Sequence, residues 1–265
     1  MTIHYEISGH VARFTIDRGE LSIFTPEMHK QLHDALQAFL RDPQARVGIL
    51  SAPPGRSFSA GDDIKLKLPE RTRQEELEQY LFLHAGESPE QPRRPGWELD
   101  IMKMERYKPI IGAVDGYCLG QGMVYLLHLT DIRIATRRAS FGYPEIAYGM
   151  GGGGGQSRLG RQIPHTTAMY YLLTGERMNA DTALSCHLVN ELVDGPEPLQ
   201  QRCAEIADKI AAQPPVAVRV EMEAYYHSLD YPREETLRYV TNLYRLQRMG
   251  FEGYGAGSGF LGKSK

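Results

Sequence analysis

Glu145 lies in Tyr143-Pro144-Glu145-Ile146, in mainly apolar company, between glycine-rich turns at 116–122 and 149–155. An apolar setting disfavours the charged form of a carboxyl group, which raises its pKa and suits it to proton transfer near neutrality. The first turn, from Gly116 to Gly122, runs into an apolar segment, Met123 to Leu129, that reads as a helix. The first N–H groups of a helix have no intrahelical partner. A second tight turn, Ser59-Ala60-Gly61-Asp62, can leave another backbone N–H pointing into a cleft. Two such donors converging on one point would hold a developing oxyanion. Taken singly, each turn reads as an ordinary glycine turn; their joint presence with one acid makes a catalytic kit.

The elements that must position these groups follow from pattern. Residues 3–8 and 11–16 alternate and carry Ile, Tyr, Val and Phe, with Ser8-Gly9-His10 as a hairpin turn. Thr25-Pro26-Glu27 is a helix start in which Thr25 caps and Pro26 takes the first helical position. The helix carries Met28, Leu32, Leu36, Phe39 and Leu40 on one face, and a buried strand from Val47 to Leu50 follows. Further helices are predicted from Glu75 to His84 and from Trp97 to Arg106, with a loop from Glu87 to Gly96 between them. Strands are predicted at Ile110 to Val114 and at Ile132 to Ala135. Residues 164–174 read as a helix with Met169, Tyr170, Leu172 and Leu173 inward, and Asn179 caps the next. After Gly195 the pattern is helical: a face of Leu199, Cys203, Ile206 and Ile210, then segments at about 216–229 and 233–249. The chain therefore divides into an α/β core over 1–195 and a helical region over 196–265.

Composition narrows the function classes. A formal net charge of −3 over 265 residues gives no electrostatic footprint for nucleic acid. No apolar run is long enough for a membrane span, and the first ten residues lack the form of a secretory signal. Cys118, Cys186 and Cys203 are widely spaced, which suits reduced thiols in a cytoplasmic protein, and neither they nor His84, His165 and His187 form a metal-ligand pattern.

Five segments in order, FSAGDDIK, KPIIGAVDGYCLGQGM, DIRIA, FGYPEIAYGMGGGGGQSRL and LLTGERMNADTALSCHLVNELV, resemble the crotonase superfamily, the enoyl-CoA hydratase/isomerase family of acyl-CoA enzymes. The resemblance covers roughly residues 3–250. It implies a crotonase-like spiral of β-β-α units with a C-terminal helical region for oligomerisation and active-site cover. It implies an oxyanion hole made by the N–H groups of Ala60 and Gln121, with Glu145 as a catalytic glutamate. It places Ser59, Gly61, Asp62, Ile64, Gly120, Val124 and, near the basic end, Lys263 along the path of substrate and coenzyme A. No cofactor is implied beyond the coenzyme A of the substrate, and the partners implied are an acyl-CoA thioester and further copies of the chain, as a homotrimer or dimer of trimers.

The chain departs from the family at one catalytic position. A hydratase of this family carries a second glutamate three residues past the oxyanion donor of the helix; here that residue is Val124, or Tyr125 if the helix is aligned on Asp131. Nothing from Met123 to Thr130 is acidic. Water addition uses two carboxylates, one giving a proton and one taking one, whereas a lone Glu145 suits a proton shuttle. The leading expectation is thus double-bond isomerisation, then hydration or dehydration, then decarboxylation or C–C hydrolysis on the same enolate hole. From another class stands a CoA-binding protein with little activity. An acid opposite Glu145, Glu98 or Glu105 for example, would restore the hydratase. His84 is an auxiliary base or a surface histidine; Tyr125, Tyr143 and Tyr148 meet substrate or pack; Asp131 is structural; Met102, Met104 and Met123 fill a pocket.

Overall fold

The computed structural model describes residues 2–66, 70–82, 96–151 and 153–249. It opens with an antiparallel hairpin, β1 (Ile3–Ser8) and β2 (Val11–Ile16), closed by Gly9 at φ +59°. Thr25 caps α1 (Pro26–Arg41), its hydroxyl accepting from the Met28 N–H. The helix buries Met28, Leu32, Leu36 and Phe39 against the sheet, and Phe39 meets Phe14 edge-on at 5.5 Å.

The next two strands, β3 (Val47–Ser51) and β4 (Ile110–Val114), are buried along their whole length. Their near-continuous apolar runs are what central parallel strands covered on both faces require. With β6 (Ile132–Thr136) and β9 (Glu191–Val193) they complete a six-stranded sheet in the order β1-β2-β3-β4-β6-β9, parallel from β2 onward. A second sheet holds β5 (Tyr117–Leu119), β7 (Ser140–Gly142) and β8 (Met178–Asn179) in the order β5-β7-β8. Helices α2 (Arg73–Leu81) and α3 (Trp97–Lys103) lie between β3 and β4 in sequence. The α3 helix ends three residues before the predicted Arg106, and the chain runs on extended from Met104. His84 and the loop predicted from Glu87 fall outside the described residues.

After β5 come α4 (Gln121–Leu129), a short 3-10 helix (Pro144–Tyr148), α5 (Gly155–Gln162), α6 (His165–Thr174) and α7 (Ala180–Ser185). Asn179 caps α7 as predicted, accepting from the Thr182 N–H at 2.8 Å. The inward face expected of α6 is corrected: Leu173 is 65% exposed, Met169 and Tyr170 are exposed too, and Ala168 is the buried residue. Tyr171 and Leu172 pack only partly against the core.

The first C-terminal helix, α8 (Pro196–Ala211), belongs with the sheet. Its Leu199, Cys203, Ala207 and Ala211 form one apolar layer with Val47, Ile49, Ile111, Ala113 and Ile134. The helical region that stands apart from the sheet therefore begins one helix later than residue 196, with α9 (Pro215–Asp230) and α10 (Arg233–Met249), which pack on each other. The His227 ring stacks on Tyr231 and Tyr239, each at 4.0 Å. Asp131 joins α9 to the core: it takes a bidentate pair from Arg106 at 2.7 and 3.0 Å, the Ile110 N–H at 2.8 Å and the Tyr226 hydroxyl. No described helix is long and apolar enough to cross a membrane.

Candidate active site

Three segments run side by side to make the site. Ser59 donates its N–H to Tyr117 O and accepts from the Leu119 N–H, each at 2.9 Å, so the Ser59–Asp62 turn lies along β5. On the other side of β5 lies β7, and the Gly120 N–H donates to Gly142 O at 3.0 Å. This ladder sets the start of α4 between the Ser59 turn and the segment that leads to Glu145.

Glycine is required where the three segments touch. Gly120 has φ +54°, and a Cβ there would lie 2.0 Å from Glu145 Oε1. The carboxyl group of Glu145 thus occupies the place of that missing side chain, directly at the N-terminus of α4. Gly61, at φ +99°, would place a Cβ 3.2 Å from Leu119 O and 3.5 Å from Gln121 N. The first turn therefore closes over the same helix start. Gln121 is the first helical residue, so its N–H has no intrahelical acceptor.

The sequence expectation for the other donor is corrected. The Ala60 N–H donates to Leu21 O at 2.8 Å and is spent inside the fold. Main-chain groups alternate in direction along an extended segment. Gly61 O accepts from the Phe24 N–H and the Asp63 N–H donates to Phe24 O, so the N–H of Asp62 faces away from that segment. That leaves Asp62, in place of Ala60, as the candidate donor beside Gln121. Ser59 is fully buried, its hydroxyl donating to Ser22 O and accepting from the Gly61 N–H, which leaves it a turn-holding role in place of ligand contact. Ile64 is 72% exposed at the rim. Val124 is buried on α4, and Lys263 lies outside the described residues.

Burial raises the Glu145 pKa; its own backbone N–H opposes the rise, and the negative charge of Asp62 adds to it. Sequence reading placed Asp62 only on the coenzyme A wall, yet it is the acid whose charge reaches Glu145. Glu105 is exposed, and the buried Glu98 accepts from Gly96 at the start of its own helix. The Asp62 carboxylate itself lies 3.2 Å from His29 Nε2, and His29 Nδ1 is 2.6 Å from the Tyr125 hydroxyl. Three distant segments supply that chain of groups, so no local motif announces it.

Glu145 Oε2, Gln121 Nε2 and the Tyr143 hydroxyl are buried without a protein hydrogen-bond partner, which marks them as groups for a bound molecule to satisfy. Beyond Glu145, Tyr143 and Met102 press against the glycine run: a Cβ on Gly155 would lie 1.9 Å from the Tyr143 hydroxyl, and one on Gly154 3.0 Å from Met102 Sδ. Tyr148 is exposed. No group of three His, Cys, Asp or Glu among the described residues is arranged to hold a metal ion. A cavity of about 340 Å³ between Lys108, Tyr107 and the start of α9 lies away from these groups.

The enoyl-CoA hydratase/isomerase family model matches residues 6–247. The chain is 33% identical over 263 residues to (E)-benzylidenesuccinyl-CoA hydratase of Thauera aromatica, covering 96% of each. It is 28% identical over 241 residues to carnitinyl-CoA dehydratase of Escherichia coli K12, covering 90% of this chain and 85% of the relative. Among solved structures, an enoyl-CoA hydratase subunit I from Geobacillus kaustophilus superposes with TM-score 0.80 at 30% identity, over 96% of this chain and 91% of that one. An enoyl-CoA hydratase/isomerase from Mycobacterium paratuberculosis does so with TM-score 0.77 at 29% identity, over 96% and 92%.

Proposed function

The chain belongs to the enoyl-CoA hydratase/isomerase family, and on that premise we propose that it adds water to, or removes it from, the acyl chain of a coenzyme A thioester through an enolate. The observation that carries this reading is the seat of Glu145 against Gly120, beside the Gln121 N–H. The thioester oxygen accepts from the N–H groups of Gln121 and Asp62, which stabilise the negative charge that develops there. Glu145 moves the proton at the carbon next to the thioester. Its raised pKa favours the protonated form that the step requires. Coenzyme A arrives as part of the substrate, and the chemistry calls for no other cofactor.

The names of the relatives, a hydratase and a dehydratase, support water chemistry over isomerisation. Double-bond isomerisation is the second reading, favoured by the absence of any acid on α4. The relative of 33% identity points to an aromatic or carboxylated acyl group, with Met102 and Tyr143 beside the acyl chain. The exposed Leu237, Tyr244 and Leu246 of α10 support assembly with further copies, and sedimentation of the purified protein would give the stoichiometry.

Crotonyl-CoA, cinnamoyl-CoA, (E)-benzylidenesuccinyl-CoA and a 3-enoyl-CoA, each incubated with the protein and followed by mass spectrometry, test the reading. Hydration adds the mass of one water to a 2-enoyl thioester. Conversion of the 3-enoyl substrate at unchanged mass, with no water gained by any 2-enoyl substrate, would put isomerisation in its place.

A further inference from the structure

Water addition needs a second proton-handling group, and α4 carries no acid to supply it. Gly61 rests against the Gln121 N–H, and Asp62 is the next residue. Glu145 rests against Gly120 on the other side of the same helix start. The Asp62 charge reaches Glu145, and the two residues come to the same helix start from different turns.

Asp62 is held in place by residues from two helices. Its side chain is 8% exposed and that of His29, on α1, is 1% exposed. His29 Nε2 lies 3.2 Å from Asp62 Oδ1. The Tyr125 hydroxyl, from α4, binds His29 Nδ1 at 2.6 Å. Phe24 stacks on the His29 ring at 5.2 Å and meets Tyr125 edge-on at 5.1 Å, which fixes the imidazole plane. Tyr125 thus holds the ring at Nδ1 and leaves Nε2 turned toward Asp62. A buried histidine facing a carboxylate, with a buried tyrosine behind it, resembles the orienting chains that hold catalytic groups.

We propose that Asp62 is the second acid/base of the reaction, replacing from the first turn the glutamate that α4 lacks, with His29 and Tyr125 as its positioning residues. This rests on the hydration reading above. In the forward direction the water oxygen bonds to the carbon β to the thioester, and the Asp62 carboxylate takes one water proton. The electron pair of the double bond moves into the enolate held by the Gln121 and Asp62 N–H groups. Protonated Glu145 then gives its proton to the α carbon as the enolate pair forms the new C–H bond. The product has gained one water, Asp62 is protonated and Glu145 is ionised; a proton passes from one to the other through solvent before the next turnover. Dehydration runs the same steps backwards.

Asp62→Asn keeps the backbone N–H and the side-chain shape and removes the proton acceptor together with its charge, which also acts on Glu145. Two readouts follow it: hydration of the best 2-enoyl-CoA of the panel, and exchange of α-carbon hydrogen for deuterium in butanoyl-CoA, which needs the enolate hole and Glu145 but no water addition. D62N is expected to lose at least about 100-fold in hydration kcat and at least about ten-fold less than that in exchange, each read at the pH optimum of the protein concerned because the Asp62 charge also acts on Glu145. Tyr125→Phe, which deletes a single hydroxyl, is expected to lower hydration kcat about ten-fold with KM and exchange unchanged. A D62N protein that hydrates within about three-fold of the original overturns the role of Asp62 and leaves the hydration reading standing. Equal loss of exchange and hydration in D62N also overturns it, since a turn-holding residue would behave that way. If D62N does not fold, Tyr125→Phe decides: unchanged hydration kcat overturns the proposal. No water gain by the unaltered protein with any member of the panel defeats the hydration reading itself.

Discussion

Glu145 concentrates the chemistry because its neighbours withhold water from one side and supply a helix start on the other. Its folded-state pKa is raised by burial and by Asp62. The stability tied to its protonated form is full below the unfolded pKa and is lost as pH rises through the folded one. Glu145→Gln removes that loss. Thermal midpoints of E145Q and the unaltered protein are therefore expected to agree near about pH 3.5, where both side chains are neutral, and to separate by on the order of 2 °C in favour of E145Q near about pH 8. A stabilising substitution at the proposed catalytic residue is the mark of a site that sacrifices stability for function. Local turns carry Glu145 and Gln121, and the structure seats both at the start of α4. Ala60 was the wrong donor because which way a backbone N–H points is fixed by the strand beside it, here Leu21 to Phe24, and no pattern within SAGD encodes that.

At the level of elements, the site depends on the ends of β5 and β7 and the Ser59–Asp62 turn being held together at the start of α4. Gly120→Ala would put a methyl group where Glu145 Oε1 lies and would strain a backbone at φ +54°. The cost to stability is expected to be about 1–3 kcal/mol, and displacement of the acid should lower kcat about 100-fold with thioester binding retained, read from steady-state kinetics beside a binding isotherm. Long periodic elements were readable: α1 with its Thr25 cap, α10 and the all-apolar β4 stand close to where pattern put them. The short strands β5, β7, β8 and β9 were not, because three residues or fewer carry no period and their pairing is long-range. The exposed face of α6 misled for a related reason, since an apolar stripe shows that a helix has something to cover without showing where that partner is.

Across the whole molecule, two apolar layers hold the sheet, one beneath α1 and α4 and one beneath α8. The terminal helices are fastened by a polar network centred on Asp131. Burial alone would weaken the charge of Arg106, but Asp131 more than offsets it and the arginine pKa is raised; burial also pushes Tyr226 up to about 12. Asp131→Asn would leave the Arg106 guanidinium buried beside a neutral amide. It is expected to cost about 3 kcal/mol, seen as a lower urea midpoint, while E145Q shows no such loss. The family resemblance carried the spiral fold and the C-terminal helices correctly, and the solved relatives share that architecture. Composition could not show that α8 is part of the core, because its Cys203, Ala207 and Ala211 are small residues whose burial depends on how closely the helix lies on the sheet.

In the proposed reaction Glu145 is the group that moves the α-carbon proton of a thioester enolate. Deuterium exchange at that carbon of butanoyl-CoA, measured for the unaltered protein and for E145Q, addresses this without the complication of water addition. The prediction is steady exchange in the unaltered protein and a loss of at least about 100-fold in E145Q, with thioester affinity within about three-fold. Exchange undiminished in E145Q at unchanged affinity would contradict it.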